Sequence, residues 1–131
     1  IVKEIKPKKI RRVISKKTSR QMKEMLKFAV KDGTGKKAAV DGFDVAGKTG
    51  TAQKYIAATR SYSKTEYVSS FIGYAPADDP KLVILVMIDN PKGMHWGGVV
   101  AAPVFRQIAS KSLRYLNVPS SKERVFILDR A

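Results

Sequence analysis

Apolar positions recur along this chain with two different periods, and the change of period divides it into elements. In residues 2–14, Val2, Ile5, Ile10, Val13 and Ile14 interrupt a run of cations, which predicts an extended segment with a solvated basic face, broken at Pro7. Ser15 stands where a helix N-cap belongs. From Thr18 to Val30, Met22, Met25, Leu26, Ala29 and Val30 return at three and four residues. That spacing predicts a helix with one buried stripe, leaving Lys16, Arg20, Lys23, Lys27 and Lys31 largely outside it. Asp32-Gly33-Thr34-Gly35 ends the helix and offers a glycine for a left-handed cap.

Beyond residue 42 the period shortens. Residues 43–55 read as extended, a polar loop runs through Ser61-Tyr-Ser-Lys64, and residues 67–74 are rich in aromatic and β-branched side chains, as a strand requires. Pro76-Ala-Asp-Asp-Pro80 is a turn, and residues 82–88 form a continuous apolar run, expected of a strand covered on both faces. So short a turn predicts an antiparallel hairpin. After a loop over residues 90–98, Ala101, Val104, Phe105, Ile108, Ser112, Tyr115 and Leu116 mark one face of a last helix, with Pro103 tolerated in its first turn. Residues 118–131 read as a C-terminal tail with a short apolar run at 125–128. The order strand, helix, three strands, helix predicts an α+β fold: an antiparallel sheet flanked by helices.

At 131 residues and 44% apolar, the chain suits one domain or part of one. Its 26 Lys and Arg against 11 Asp and Glu leave +15, which raises the question of a polyanionic partner. The cations of the first 17 residues have no aromatic residue among them to stack a base, and no zinc-knuckle or helix-turn-helix signature accompanies them. A solvated face is therefore expected there, and no nucleic acid. The absence of cysteine excludes disulfides and thiolate chemistry. The run at 82–88 is too short to cross a bilayer, which needs about 20 residues in a helix. Nothing at the start has the pattern of a signal peptide, so an address for export or anchoring is expected outside the chain.

Candidate chemistry concentrates in residues 45–54, which fit two signatures. Gly42-Phe-Asp-Val-Ala-Gly47-Lys48-Thr49 satisfies G-x-x-x-x-G-K-[ST], the phosphate loop, and residues 82–88 followed by Asp89 imitate that loop's usual apolar strand and magnesium-binding acid. Yet no strand pattern precedes Gly42, the loop interior is bulky, and a short hairpin disfavours the parallel crossover that such a fold needs. The same residues read from Lys48 are Lys-Thr-Gly-Thr, the K-T-G element of penicillin-binding proteins and serine β-lactamases. As an extended edge strand, this segment has Gly47 and Gly50 to admit a peptide-like substrate. Lys48 offers a fixed charge for a carboxylate, and Thr49 and Thr51 project hydroxyls to one side. Alternation turns Lys48 the other way, so its reach into a cleft requires twist or a bulge.

Arg11-Arg-Val-Ile-Ser15, Met25-Leu26, Gly33-Thr-Gly-Lys-Lys-Ala38, residues 45–53, Phe71-Ile-Gly-Tyr-Ala-Pro76 and Ala101-Ala-Pro-Val-Phe105 extend the match. Together they resemble the last part of the transpeptidase domain of class B penicillin-binding proteins, nearest the septal, cell-division branch. The resemblance implies the C-terminal portion of a serine β-lactamase/transpeptidase-like domain over residues 1–131. It further implies a D,D-transpeptidase that cross-links peptidoglycan stem peptides, is acylated by β-lactams, and works on the extracytoplasmic face of the membrane, with division proteins as partners. It makes Lys48 and Thr51 catalytic, the latter through a backbone amide of the oxyanion hole, and Lys48, Thr49, Gly50 and Thr51 substrate-binding, with no cofactor or metal.

The family places S-x-x-K and S-x-N before K-T-G. S-x-N is absent, and the sole S-x-x-K, Ser61-Tyr-Ser-Lys64, follows the strand. The nucleophile is therefore expected from sequence outside this chain, packed on a sheet face that should be apolar and uncovered here. His95, the one histidine, is expected to pack in its loop, and Asp78, Asp79 and Asp89 form no supported acid/base pair. A β-lactamase, a β-lactam sensor, a phosphate-loop protein and a basic nucleic-acid module are the rival readings.

Overall fold

The structure, a computed structural model, describes Lys6 and residues 8–120. It comprises α1 (Lys16–Lys31), a 3-10 turn (Lys36–Ala38), β1 (Ala46–Ile56), β2 (Ser61–Ala75), β3 (Leu82–Asp89), α2 (Gly97–Val100) and α3 (Ala102–Tyr115). The strand expected over residues 2–14 does not form where it is described. Lys6 and residues 8–14 are exposed and irregular, because no neighbouring strand pairs with them. Residues 1–5 and Pro7, like the apolar run at 125–128, lie outside the described residues.

The helix begins where its cap signal places it. Ser15 is extended, and its hydroxyl accepts the Thr18 N–H at 3.0 Å, satisfying one orphan donor of the first turn. At the other end the Asp32 N–H donates to the Phe28 carbonyl at 2.8 Å. Gly33 is not left-handed, contrary to the cap expectation; a Cβ there would stand 2.8 Å from the Ala29 carbonyl oxygen, so close approach is what selects glycine. The predicted buried stripe is only half sealed. Val30 is buried and Leu26 and Ala29 are half-buried, but Met22 and Met25 are 45% and 63% exposed, because no described element lies over that part of the helix.

The three strands form one antiparallel sheet in the order β1-β2-β3, and the predicted hairpin between β2 and β3 is present. β2 starts earlier than expected. Ser61 and Tyr62 pair with Ile56 and Tyr55, so the supposed polar loop is strand, and only residues 57–60 turn. A register shift between Gln53 and Tyr55 separates this distal arm from the rest. Nearby, buried Ser63 accepts the N–H groups of Thr65 and Glu66 at 3.2 and 3.0 Å.

Register assigns the two faces. Thr49, Phe71 and Val86 stand abreast on one, and Lys48, Ile72 and Leu85 on the other. The first face is sealed by α3, where Phe71 and Phe105, both wholly buried, meet edge to face with centroids 4.7 Å apart. The second is open: Val83, Leu85 and Met87 are 71%, 55% and 62% exposed. The continuous apolar run of β3 is therefore covered on one face and not on both. Its open face is apolar and, among the described residues, uncovered.

Two further expectations shift. The loop over residues 90–98 runs into the short helix α2, and the buried face of α3 is Ala102, Phe105, Ala109 and Leu113. Val104, Ile108 and Tyr115 are turned outward. Small alanines, rather than the bulkier residues of the sequence pattern, let the helix axis approach the sheet.

Two lysines tether α1 to the segments flanking the sheet. Lys27 Nζ lies 2.8 Å from Asp44 and 3.5 Å from Asp78, and Lys23 Nζ lies 2.6 Å from Asp78. The Lys23 hydrogen bond, assisted by the charges of both lysines, holds the Asp78 carboxyl below the usual carboxylate range. The Asp44 hydrogen bond raises the Lys27 ammonium above the ordinary lysine value. A depressed carboxylate contributes stability above its unfolded pKa of about 4 and loses it as pH falls through the folded value; a raised lysine loses its contribution only as pH rises through its folded value. Asp78→Asn should therefore cost about 0.5–1 kcal/mol at pH 7, after discounting for solvent screening, and the difference from wild type should be smaller at about pH 3. Urea titrations at the two pH values test this. Phe105→Ala, by emptying the seam, should cost about 3–5 kcal/mol in the same assay.

Candidate functional site

Residues 46–54 of the signature segment lie in β1, which is an edge strand. Lys48 is in mid-strand, so no helix begins at it and no phosphate loop is formed. Asp89, the supposed magnesium acid, ends β3 and pairs with Lys54 at 2.9 Å. Of the other acids, Asp78 holds Lys23 and Lys27, and Asp79 holds Lys81 at 2.7 Å.

Thr49 and Thr51 project to the α3 side of the sheet, and Lys48 and Gly50 to the open side. No bulge turns Lys48, since the pairing is regular through Gln53. Its long stem brings the ammonium back to the strand instead. Nζ donates to the Thr49 carbonyl at 3.2 Å and to Thr49 Oγ1 at 3.3 Å. The cation and a hydroxyl from opposite faces thus meet at one place on β1.

Thr34 completes this arrangement and was not found from the sequence. Its Oγ1 lies 2.9 Å from Thr49 Oγ1. Thr51 Oγ1 in turn accepts the Gly97 N–H at 3.1 Å, which leaves the Thr51 proton free to donate. A cleft of about 340 Å³ opens beside these hydroxyls, walled by Lys36 and Lys37 on one side and by Trp96, Gly97 and Gly98 on the other. Gly97 and Gly98 were missed as well. A Cβ on Gly97 would run into the carbonyl oxygens of Gly50 and Ser70, and one on Gly98 into that of Thr34. The pair is therefore what lets α2 lie against β1. The local signal was two adjacent glycines just ahead of an apolar helical run.

The glycines of the signature have other duties than admitting substrate. A Cβ on Gly47 would stand 2.6 Å from Phe71 Cζ, so this residue makes room for the core ring, and Gly50 makes room for the Ser70 hydroxyl. His95 packs as expected, stacked on Tyr67 at 4.0 Å, while the Ser69 hydroxyl donates to its carbonyl. Ser61 and Lys64 stand three apart on a strand, which sends them to opposite faces and rules out a nucleophile-base pair. Among the described residues there is no group of three His, Asp or Glu placed to hold a metal, and no helix long and apolar enough to cross a membrane.

An edge strand carrying Lys-Thr-Gly-Thr is thus backed by α3 and bordered by a cleft. Comparison with known proteins is more specific. Residues 1–110 match the family model for the penicillin binding protein transpeptidase domain. Stage V sporulation protein D of Bacillus subtilis is 47% identical over 116 residues, 88% of this chain and 18% of that protein. The probable peptidoglycan D,D-transpeptidase PenA of Neisseria flavescens is 43% identical over 114 residues, 86% of this chain and 28% of that protein. Among solved structures, penicillin-binding protein 3 of Mycobacterium tuberculosis in complex with ampicillin superposes with a TM-score of 0.79 at 39% identity, covering 92% of this chain and 28% of that one. The chain belongs to the transpeptidase family of penicillin-binding proteins, in its class B branch. It spans between about a fifth and a little over a quarter of the length of these relatives.

Gly97→Ala should push α2 off β1 and break the Gly97–Thr51 hydrogen bond. The expected loss is about 1–3 kcal/mol in urea unfolding, as for overpacking elsewhere. A change under about 0.5 kcal/mol, within the range of neutral surface substitutions, would show that the contact is not needed.

Proposed function

We propose that this chain forms the substrate-binding wall of a peptidoglycan D,D-transpeptidase whose serine nucleophile and lysine base lie in sequence outside it. The observation that carries the reading is the meeting of Lys48 and Thr49 of an edge strand with Thr34 of the turn after α1, next to a Thr51 whose proton is free. Lys48 can only donate, so Thr49 Oγ1 acts as its acceptor. The Thr34–Thr49 hydroxyl pair can run in either direction, and when Thr34 donates the Thr49 proton is available for a ligand. Two outward-facing hydroxyl protons beside a fixed cation suit the terminal carboxylate of a stem peptide or of a β-lactam.

The reaction then needs a serine from the preceding sequence to attack the carbonyl of the penultimate residue. The terminal amino acid leaves, and an amine of a second stem peptide resolves the acyl-enzyme. The backbone N–H of Thr51 would stabilise the oxyanion, a contribution on the order of 3 kcal/mol for one such donor. Lys48 lies on the open apolar face, where the nucleophile-bearing segment would dock and exclude water, strengthening its charge. The peptidoglycan substrate supports an extracytoplasmic location, anchored by a segment outside the chain. Likeness to Stage V sporulation protein D, together with the septal-type motifs of the sequence, supports a role in septal or spore-wall synthesis, with division proteins as partners.

In a protein that joins this chain to a segment bearing S-x-x-K and S-x-N, labelled penicillin should acylate the serine of S-x-x-K, and this chain alone should give no stable adduct. Covalent labelling of Ser61 would sink the reading. Thr49→Val and Thr51→Val should each slow acylation about 10- to 100-fold, the weight of one hydrogen bond to a charged group. Thr34→Val should slow it less, and Thr34→Ser should restore it.

A further inference from the structure

We propose that the substrate wall continues into a cationic track that holds an uncrosslinked peptidoglycan strand through the carboxylates of its neighbouring stem peptides; this rests on the transpeptidase reading above. Lys37 lines two cavities at once. One is the cleft of about 340 Å³ beside Thr49 and Thr51, and the other is a groove of about 520 Å³ along the outer side of α3. The groove is bounded by Lys37, Arg106, Gln107, Ser110, Lys111 and Arg114. Its α3 members recur at one, three and four residues and so form a single stripe, about 12 Å long from Arg106 to Arg114 at 1.5 Å per residue.

No acid balances this stripe from its own helix, because α3 contains neither Asp nor Glu. The nearest ion pair joins Arg106 to Asp41 at 3.3 Å, and the Asp41 side chain is almost fully exposed, so water screens it. Lys36 pairs with Asp32 at 2.7 Å. Lys37, Lys111 and Arg114 have no ion-pair partner among the described residues. Three uncommitted cations, with an amide and a hydroxyl between them, are suited to a chain of carboxylates that needs both charge and hydrogen bonds.

The geometry selects the strand over a lipid surface. The site is concave, and its lining carries no aromatic or long aliphatic side chain to insert among acyl chains. It is also continuous, through Lys37, with the place where one stem-peptide carboxylate enters. The groove lies on the far side of α3 from the open sheet face, so a segment that covers that face leaves the groove free.

The test uses a protein joining this chain to its nucleophile-bearing segment and carrying Lys111→Glu with Arg114→Glu. Three measurements are made: acylation by penicillin, turnover of a short stem peptide, and binding of purified uncrosslinked strands at several salt concentrations. We expect the first two to stay within about twofold, while strand affinity falls about tenfold or more and its salt dependence flattens, as when steering charges are removed. Lys111→Gln with Arg114→Gln should lose less. Strand affinity unchanged in an acylatable protein overturns the track. So does wild-type binding to vesicles of 30% phosphatidylglycerol that the charge reversal abolishes while strand binding persists, because the occupant is then the membrane. Failure of the wild type to be acylated at all overturns the transpeptidase reading instead.

Discussion

The position of the β1 hydroxyls depends on how closely two bare stretches of backbone approach the ring of Phe71. Cβ atoms on Gly47 and Gly73 would stand 2.6 and 2.9 Å from that ring, so any side chain at either place would lift β1 or tilt the ring. With both absent, Phe71 packs under the sheet and meets Phe105 of α3 edge to face. The strand residue directly opposite Phe71 is Thr49. Packing in the core and placement of the first hydroxyl are thus a single constraint, and α2, hung between the sheet and α3, brings the Gly97 amide to Thr51 as a result.

The sheet has two dissimilar faces, and the residues of the signature segment project to both. The sealed face supplies hydrogen-bonded hydroxyls, whereas the open face supplies a lysine whose ammonium is drawn back to Thr49. Because the lysine stem wraps back to Thr49, a strictly alternating strand can still offer charge and hydrogen bonds to one ligand. An isolated reading of side-chain direction would have separated them.

The elements that the sequence made legible are those with strong local periodicity or punctuation. Ser15 announces α1, the alternation and glycines of residues 46–54 announce an edge strand, and the proline-bounded turn announces the β2–β3 hairpin. Misreadings have physical causes. A continuous apolar run such as residues 82–88 is identical whether one face or two are covered, so the openness of β3 could not be read from it. Met22 and Met25 obey helical spacing, but spacing reports a face and not whether anything lies against it. On α3, bulky residues drew attention from Ala102 and Ala109, whose smallness is what the packing required. Thr34 was hidden for a different reason: its partner Thr49 is 15 residues away, and a hydroxyl pair closed by tertiary structure leaves no periodic trace.

The register shift between Gln53 and Tyr55 has a consequence for how this fold can vary. In a strand, adding one residue rotates everything beyond it to the opposite face. Here the irregularity lies on the far side of the site from the Phe71 seam, so that rotation is absorbed in the distal arm. The hairpin tip, from Tyr55 through Tyr62, can therefore change length or composition without disturbing Thr49 or Thr51. The tip and the hydroxyl-bearing part of β1 are thus uncoupled in the fold, and a change in one leaves the other in place.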